Sequence, residues 1–289
     1  MAIPLLPEPL RTQVTVAYLL FRTADTLEDG ILWPREVRRQ ALADFAQVLS
    51  DQSKAADLAS AWSSQPPVEH DGYVRLLAAL PQLCEHFNEL QADVRELVRE
   101  HCLTTVNGMA EFVGRKQVGE WLRLVDLDDL RHYCYIVAGL VGEMLTELFV
   151  RACSNLEPVA EELRRRAGPF GESLQLVNIL KDADSDARER RQFLPTGVSR
   201  DEIIRQTQVD LCQAEEYLEI LRSADADAGV IHFCSLPILL ARATLTAIEQ
   251  RGQGAKVSRS EVATLVQSLR SSSNADVLSI LPEFSGSTP

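Results

Sequence analysis

Residues Val14–Asp29 have the sequence VTVAYLLFRTADTLED, an apolar run that ends in acidic side chains. The run predicts a buried helix, with Asp25 and Asp29 four residues apart and therefore on one helix face. Burying charge is expensive unless the charge is paired or bound to a metal. Arg22 lies three residues before Asp25, where it can serve the same site or simply pair with that carboxylate. The stretch predicts a helix whose acidic end binds a cation.

A second acidic pair, Asp182 and Asp186, lies in another apolar stretch and extends a stripe that begins with Gln175 and Asn178. The four residues lie on one side of a helix. Each like-charged pair costs about 3 kcal/mol at roughly 6 Å and an effective dielectric near 20. Cations offset that cost, and Mg²⁺ prefers carboxylate oxygens together with substrate phosphates. The pattern predicts a magnesium and diphosphate site, and an ordinary amphipathic surface helix is the alternative.

The segment Tyr133–Gly142, YCYIVAGLVG, is apolar and carries two glycines where a helix disfavours them. Small residues there allow either a close helix crossing or room for a bulky apolar ligand. Tyr133 is a candidate polar group in an apolar cavity, and a buried structural tyrosine is the alternative.

The composition of the chain and its helix-start and turn signals predict an all-α protein of one domain. The chain has 289 residues, of which 46% are hydrophobic, and helix-forming residues fill long segments between turn signals. Two capping boxes, at Ser199–Glu202 and Ser258–Glu261, mark helix starts. Breaks are predicted at four places: Gln65-Pro66-Pro67, Gly168-Pro169, Leu194-Pro195 and Arg251–Gly254. No strand is predicted, the helical domain covers residues 1–282, and residues 283–289 are expected to be a disordered tail.

Charge and cysteine usage exclude several classes of protein. A net charge of −13 argues against nucleic-acid binding, which needs basic patches. Six scattered cysteines without metal-ligand spacing predict reduced thiols in the cytoplasm. The N-terminus lacks the features of a signal peptide, and Glu143 and Arg242 interrupt the most apolar runs, so no transmembrane helix is expected. Peripheral membrane contact and the oligomeric state stay open.

These segments resemble the squalene/phytoene synthase family, the head-to-head prenyl transferases. Tyr18–Asp29 resembles the family's first aspartate-rich motif, and Asn178–Asp182 continuing through Arg191–Pro195 resembles the second. Tyr133–Gly142 is more similar to squalene synthases than to phytoene synthases. Weaker similarity continues through Phe233–Pro237 and Lys256–Val262. The resemblance implies a class I terpenoid synthase-like helical bundle around a central cavity.

The resemblance also implies an activity. Two farnesyl diphosphates condense to presqualene diphosphate with Mg²⁺, and NADPH reduces this intermediate to squalene. The implied metal ligands are Asp25, Asp29, Asp182 and Asp186, with Glu28 as a further ligand or a residue that supports one. The diphosphate would be held by Arg22, Asn178, Lys181 and Arg191. Tyr133 would handle the proton that is lost, Tyr18 and Gln175 would shape the reacting centre, and Lys256 and Arg259 would contact NADPH.

Two departures from the family pattern modify this expectation. The family carries a Ser-Arg/Lys-Ser/Thr-Phe stretch before the segment that corresponds to Leu5-Leu6-Pro7, and this sequence lacks it. Either this sequence starts after that stretch, or we expect the protein to bind diphosphate more weakly. Lys181 stands where many relatives carry Arg, so a point charge replaces a bidentate donor, a change we expect to be tolerated.

Two alternatives differ in what they predict for substrate turnover. A phytoene, dehydrosqualene or presqualene diphosphate synthase would be indifferent to NADPH. A non-catalytic assembly or binding relative would not consume substrate. Both aspartate pairs are intact, which argues against a site that has lost its activity.

Overall fold

The computed structural model describes residues 2–115, 122–188, 191–252 and 254–271, and it confirms the predicted all-α fold. The predicted tail, 283–289, lies outside the described residues. The α-helices are α1 (Leu10–Glu28), α2 (Arg35–Val48), α3 (Ala55–Ser64), α4 (Asp71–Ala78), α5 (Leu80–Glu89), α6 (Ala92–Gly114), α7 (Leu127–Cys134), α8 (Leu140–Ala152), α9 (Ala160–Arg188), α10 (Arg200–Ser223), α11 (Ala228–Arg251) and α12 (Arg259–Ser271).

Shorter elements join these helices. Three 3₁₀ turns cover Ile3–Leu5, Gln52–Lys54 and Ser154–Val159, and a π-helical segment, Tyr135–Gly139, makes α7 and α8 one continuous rod. Two-residue strands β1 (Leu122–Arg123) and β2 (Arg191–Gln192) pair in parallel, with Leu122 opposite Arg191. The prediction of no strand was therefore wrong at this one short pair, which is too brief for any periodic signal in the sequence.

The chain divides into two compact units. Unit A comprises Glu8–Arg123 and Glu189–Gln192, and unit B comprises Met1–Pro7, Leu124–Arg188 and Phe193–Pro289. In unit A, α1 packs on α2, α4, α5 and α6. In unit B, α9 is the central helix, packing on α7, the π-helical segment, α8, α10 and α11. Two compact units can lie within one folding domain, so the single-domain prediction stays untested.

Helix ends follow the predicted chemistry. Ser199 Oγ accepts a hydrogen bond from the backbone N–H of Glu202 at 3.2 Å, which caps α10. Ser258 and Glu261 form the reciprocal pair at the start of α12, because Ser258 Oγ accepts from Glu261 N at 3.2 Å and Glu261 Oε2 accepts from Ser258 N at 2.6 Å.

One predicted break, at Gly168-Pro169, was wrong, because α9 runs through both residues. Proline removes one backbone hydrogen bond and costs a free helix about 3 kcal/mol. Here Gly168 is buried against Tyr135 and Glu143, Pro169 is half-buried, and neighbouring helices pack along α9. Tertiary packing therefore overrides the local signal.

The two glycines of Tyr133–Gly142 have different environments. A Cβ on Gly142 would lie 2.2 Å from the carbonyl oxygen of Ala167, and one on Gly171 would lie 2.1 Å from that of Ala138. Backbone meets backbone at this crossing with α9, so the crossing explains Gly142. At Gly139 the nearest atoms belong to the ring of Tyr135, at 2.6 Å.

Two helical stretches, Leu127–Ala152 and Ala228–Arg251, are long and apolar enough to cross a membrane by length and composition alone. In each stretch, 56% of the most apolar window is buried inside the protein, as in a core helix.

Candidate active site

The acidic end of α1 is held in a fixed conformation by unit A. Asp29 ends the helix, its backbone N–H donating to the carbonyl of Asp25 at 2.8 Å. Arg38 of α2 donates to the carbonyl of Glu28 at 2.8 Å. Gly30 follows without a side chain, because a Cβ there would lie 2.6 Å from Pro67 Cβ. The turn after the motif is therefore fixed by the α3–α4 loop.

Asp25 and Asp29 each face an arginine. Arg22 Nη1 lies 3.4 Å from Asp25 Oδ2, and both side chains are 34% exposed. Arg191 donates to Asp29 Oδ1. Among the described residues, the buried Nε of Arg22 has no hydrogen-bond partner, which leaves a donor for a ligand. Both interpretations of Arg22 stay open, because it pairs with Asp25 and keeps a spare donor.

The carboxyl of Asp25 is poised near neutrality. The protein atoms packed around it raise its pKa to about 7, with Arg22 opposing the shift and Asp29 adding to it. A nearby divalent cation would favour the ionised form. Metal binding beside Asp25 would therefore lower this pKa and release a proton near neutral pH.

Two aromatic rings lie beside Arg22. Its guanidinium carbon is 5.6 Å from the ring centroid of Tyr18 and 5.8 Å from that of Tyr73. Tyr18 is 46% exposed, so this side of the group is open. Sequence reasoning missed Tyr73, which lies on α4, and no local pattern in the sequence connects it to Arg22.

The second motif lies on α9 in unit B. Lys181 Nζ lies 3.2 Å from Asp182 Oδ2 and donates to Asn178 Oδ1 at 3.1 Å. Asn178 is exposed, whereas Gln175 and Asp186 are half-buried. The structure thus groups Tyr18, Arg22, Asp25, Asp29 and Arg191 in unit A, and Asn178, Lys181 and Asp182 in unit B.

Of the two predicted NADPH contacts, Lys256 lies in the loop before α12 and Arg259 is the first residue of α12. Lys256 and Arg259 are both exposed. The loop before them approaches the second motif, because a Cβ on Gly254 would lie 3.7 Å from Asp184 Oδ2. A reductant-binding role for these two residues stays a prediction.

Tyr133 is 4% exposed, and its ring packs on Phe193 with 5.0 Å between centroids. This packing suits the structural alternative for Tyr133, and its catalytic role stays a prediction.

A second polar group in unit B escaped the sequence analysis. The hydroxyl of Tyr135 donates to Glu143 at 3.1 Å, and Arg131 Nη2 lies 3.4 Å from Glu172 Oε2. Asp210 of α10 is fully buried. Burial raises the pKa of Glu172, and the charges of Asp210 and Glu143 add to the shift. We call these five residues the polar cluster. Its members come from five elements, so sequence spacing could not have assembled them; a Glu inside an apolar helix was the available signal.

Mg²⁺ fits the donor chemistry of the aspartate motifs. Within the described ranges, no group of three or more His, Cys, Asp or Glu side chains is arranged to hold a metal by itself. Magnesium sites commonly use one or two carboxylates and take their remaining ligands from substrate phosphates and water. The carboxylates of Asp25, Asp29, Asp182 and Asp186 are suited to that role.

A profile of the squalene/phytoene synthase family matches residues 1–265, and the chain belongs to this family. Among curated proteins, it is 32% identical to a squalene synthase of Botryococcus braunii over 66% of this chain and 38% of that protein. It is 28% identical to squalene synthase R6 of a Phoma species, over 80% of this chain and 57% of that protein. The chain therefore spans about half the length of such relatives.

Solved structures agree on the fold. A structure of TcSQS with the ligand E5700 has a TM-score of 0.76 at 23% identity, covering 97% of this chain and 83% of that chain. TcSQS with BPH1237 gives a TM-score of 0.72 at the same identity. At this identity, the likeness supports the fold alone.

Proposed function

We propose that the protein condenses two molecules of farnesyl diphosphate head to head, through presqualene diphosphate, and reduces this intermediate to squalene with NADPH. The observation that carries the proposal is the first aspartate motif, where Asp25 has a pKa of about 7 and lies beside Arg22 with its spare donor. Squalene synthases among the curated relatives support the choice of reaction.

The aspartates are proposed to act through magnesium. Bound at Asp25, Asp29, Asp182 and Asp186, Mg²⁺ would neutralise the diphosphate and stabilise its charge as it departs. Glu28 is buried, and its carbonyl accepts from Arg38, so we assign it to support of the motif.

Arginine and amide side chains are proposed to bind the diphosphate directly. Arg22 and Arg191 pair with the carboxylates of the first motif. An anion bound there could accept hydrogen bonds from their planar guanidinium groups. Asn178 and Lys181 provide an amide and an ammonium group beside Asp182. Tyr18 and Gln175 would orient the farnesyl groups, because fixed geometry removes much of the entropic barrier to condensation.

Apolar walls would protect the allylic cation from water. Among the buried side chains of α9, Ile179 lies on the side that carries Gln175, Asp182 and Asp186. Excluding water favours attack by the second double bond over hydrolysis.

Product analysis tests the proposal. The full chain is incubated with farnesyl diphosphate and Mg²⁺, with and without NADPH, and products are identified by mass spectrometry. Squalene formed only with NADPH is the expected result. A C₃₀ product that is indifferent to NADPH would select a dehydrosqualene or presqualene diphosphate synthase, and unconsumed substrate would select a binding relative.

Variants of the two motifs test the metal assignment. Asp25→Ala and Asp182→Ala should each abolish diphosphate release while far-ultraviolet circular dichroism stays unchanged. Full turnover in either variant would remove that residue from the proposed metal site.

A further inference from the structure

The stripe on α9 extends beyond the residues that the sequence analysis selected. With 3.6 residues per turn, Glu172 lies within an arc of about 80° with Gln175, Asp182 and Asp186. It lies three residues before Gln175, or about 4.5 Å along the helix axis. Glu172 is therefore the next polar position on the proposed substrate side of α9, at the end away from the diphosphate.

Buried Glu172 has charged neighbours on two other helices. It is 6% exposed and lies 3.4 Å from Arg131 of α7. Asp210 of α10 contributes an Oδ2 atom that has no hydrogen-bond partner among the described residues, and Arg131 Nε is likewise unpartnered there. Two buried polar atoms without a hydrogen-bond partner are costly for stability alone. This cost favours a functional role for the cluster.

Of the three carboxyls in the polar cluster, only Glu172 lies on the same side of α9 as the proposed substrate-binding residues. Glu143 is occupied as the acceptor for the Tyr135 hydroxyl at 3.1 Å. Asp210 is fully buried on α10 and accepts from Gln206 at 3.0 Å. The Tyr135 hydroxyl is a weak acceptor, because burial and Glu143 raise the pKa of Tyr135 to about 12. Glu172 remains, on α9 itself.

We propose that Glu172 accepts the proton that is lost when the cyclopropane ring of presqualene diphosphate closes. This assignment rests on the proposed function and names a residue for one of its steps. The C2=C3 electron pair of one farnesyl group bonds to C1 of the ionised group and leaves a cation at C3. The C–H bond at that C1 then breaks, its electron pair forms the C1–C3 bond, and the proton moves to the Glu172 carboxylate.

The reach of Glu172 matches this step. C1 is the carbon bonded to the diphosphate, and Asn178, a proposed diphosphate ligand, lies about 9 Å along α9 from Glu172. A diphosphate near Asn178, which lies within about 40° of Asp182 around α9, would place the reacting carbons between that ligand and Glu172. Tyr133, which the sequence predicts for this proton, carries a phenol, and a phenol is protonated at neutral pH.

The electrostatics also suit a proton acceptor. Burial raises the pKa of Glu172; Arg131 opposes the shift, and Asp210 and Glu143 add to it. A carboxyl whose pKa is nearer the operating pH accepts a proton more readily than an ordinary glutamate. Tyr135 also faces the group, since the charge of Glu172 contributes to the raised pKa of Tyr135.

Product partitioning tests the proposal. The full chain is incubated with farnesyl diphosphate and Mg²⁺ without NADPH, and diphosphate release is measured. The second readout is the ratio of presqualene diphosphate to the products of water capture before ring closure, which are a C₃₀ tertiary alcohol, farnesol and nerolidol. Glu172→Gln should release diphosphate within about threefold of the wild-type rate, because ionisation precedes the proton transfer. In Glu172→Gln this ratio should fall at least tenfold, because water captures the C₃₀ cation at C3 when no carboxylate takes the proton that ring closure releases.

Two further variants and a pH series sharpen the test. Glu161→Gln changes an exposed carboxylate on the same helix and should leave the ratio unchanged. Glu172→Asp should recover part of the ratio. The wild-type ratio should rise with pH to a plateau as Glu172 ionises, and the Glu172→Gln ratio should not.

Several outcomes would overturn the assignment. An unchanged product ratio in Glu172→Gln would show that another group accepts the proton. A ratio that falls in Tyr133→Phe but not in Glu172→Gln would show the same. If Glu172→Gln does not fold, a flat wild-type pH series would suffice to reject it. Wild-type protein that forms no C₃₀ product would reject the proposed function and the assignment together, whereas wild-type C₃₀ product with an unchanged variant ratio would reject the assignment alone.

Discussion

Asp210 shows how a single buried carboxyl can work against stability. Its Oδ1 accepts from Gln206 at 3.0 Å, whereas Oδ2 has no hydrogen-bond partner among the described residues. Burial raises the pKa of Asp210, with Gln206 and Arg131 opposing the shift. The folded protein therefore binds more protons than the unfolded chain between the ordinary and the raised pKa, and stability falls as pH rises through that window.

Asp210→Asn should remove this pH dependence. The amide keeps an acceptor for Gln206 and carries no charge, so at pH 7 we expect the variant to be more stable than wild type by on the order of 1 kcal/mol. The difference should shrink as the pH falls through the raised pKa of Asp210, because the wild-type carboxyl then becomes protonated. Urea unfolding at pH 4 to 8 checks this, and parallel pH profiles for the two proteins would contradict it.

Arg242 poses the opposite case of a buried charge with a partner. It is 5% exposed, and its Nε donates to Glu215 Oε1 at 2.5 Å. Removing one partner of a buried pair leaves the other uncompensated.

Truncating Arg242 should therefore cost more than replacing the whole pair. Arg242→Ala should lower the free energy of unfolding by about 2 to 3 kcal/mol, since Glu215 retains some contact with water. Arg242→Met with Glu215→Met should recover most of this loss, because it fills the volume without charge. Denaturant titration of both proteins decides between them, and equal losses would mean that packing, not charge, sets the cost.

At the scale of elements, the crossing of α8 and the π-helical segment with α9 depends on glycine. Gly142→Ala and Gly171→Ala each place a methyl group about 2 Å from a backbone oxygen, at 2.2 and 2.1 Å. Backbone cannot yield as a side chain does, so each change should cost about 2 to 3 kcal/mol or more. Gly197→Ala is the matched control, because no atom lies within 4 Å of the place where its methyl group would stand. Thermal unfolding of all three measures the difference, and similar losses would refute the close crossing.

Elements that local chemistry specifies were predictable from the sequence. Apolar stretches and the Ser199 and Ser258 caps predicted helices that the structure confirms, because a cap acts within four residues. The helix break predicted at Pro169 was wrong, because the packing that keeps α9 intact comes from helices far away in the chain. The two aspartate motifs were visible because their spacing is helical. Tyr73 and the Arg131–Glu172 pair were not, because they form only when separate helices pack.

For the molecule as a whole, net charge opposes the proposed substrate. A chain of charge −13 presents a repulsive field to a diphosphate, and screening by salt weakens that field only beyond about 8 to 10 Å. Arg22 and Arg191 are already engaged by Asp25 and Asp29, so they alone offset little of the repulsion. Mg²⁺ would add positive charge where the anion binds. Diphosphate affinity should therefore depend on magnesium at both aspartate motifs.

Thermal unfolding in the presence of inorganic diphosphate and Mg²⁺ tests this dependence without turnover. A ligand present at one hundred times its Kd stabilises the folded state by about 2.7 kcal/mol, so Tm should rise by several degrees. Asp25→Asn and Asp182→Asn should each reduce the rise, because each weakens one proposed metal-binding motif. Asp57→Asn, an exposed change on α3, should keep the full rise. A rise of equal size without Mg²⁺, or in both motif variants, would show that diphosphate binds through the arginines and lysine alone.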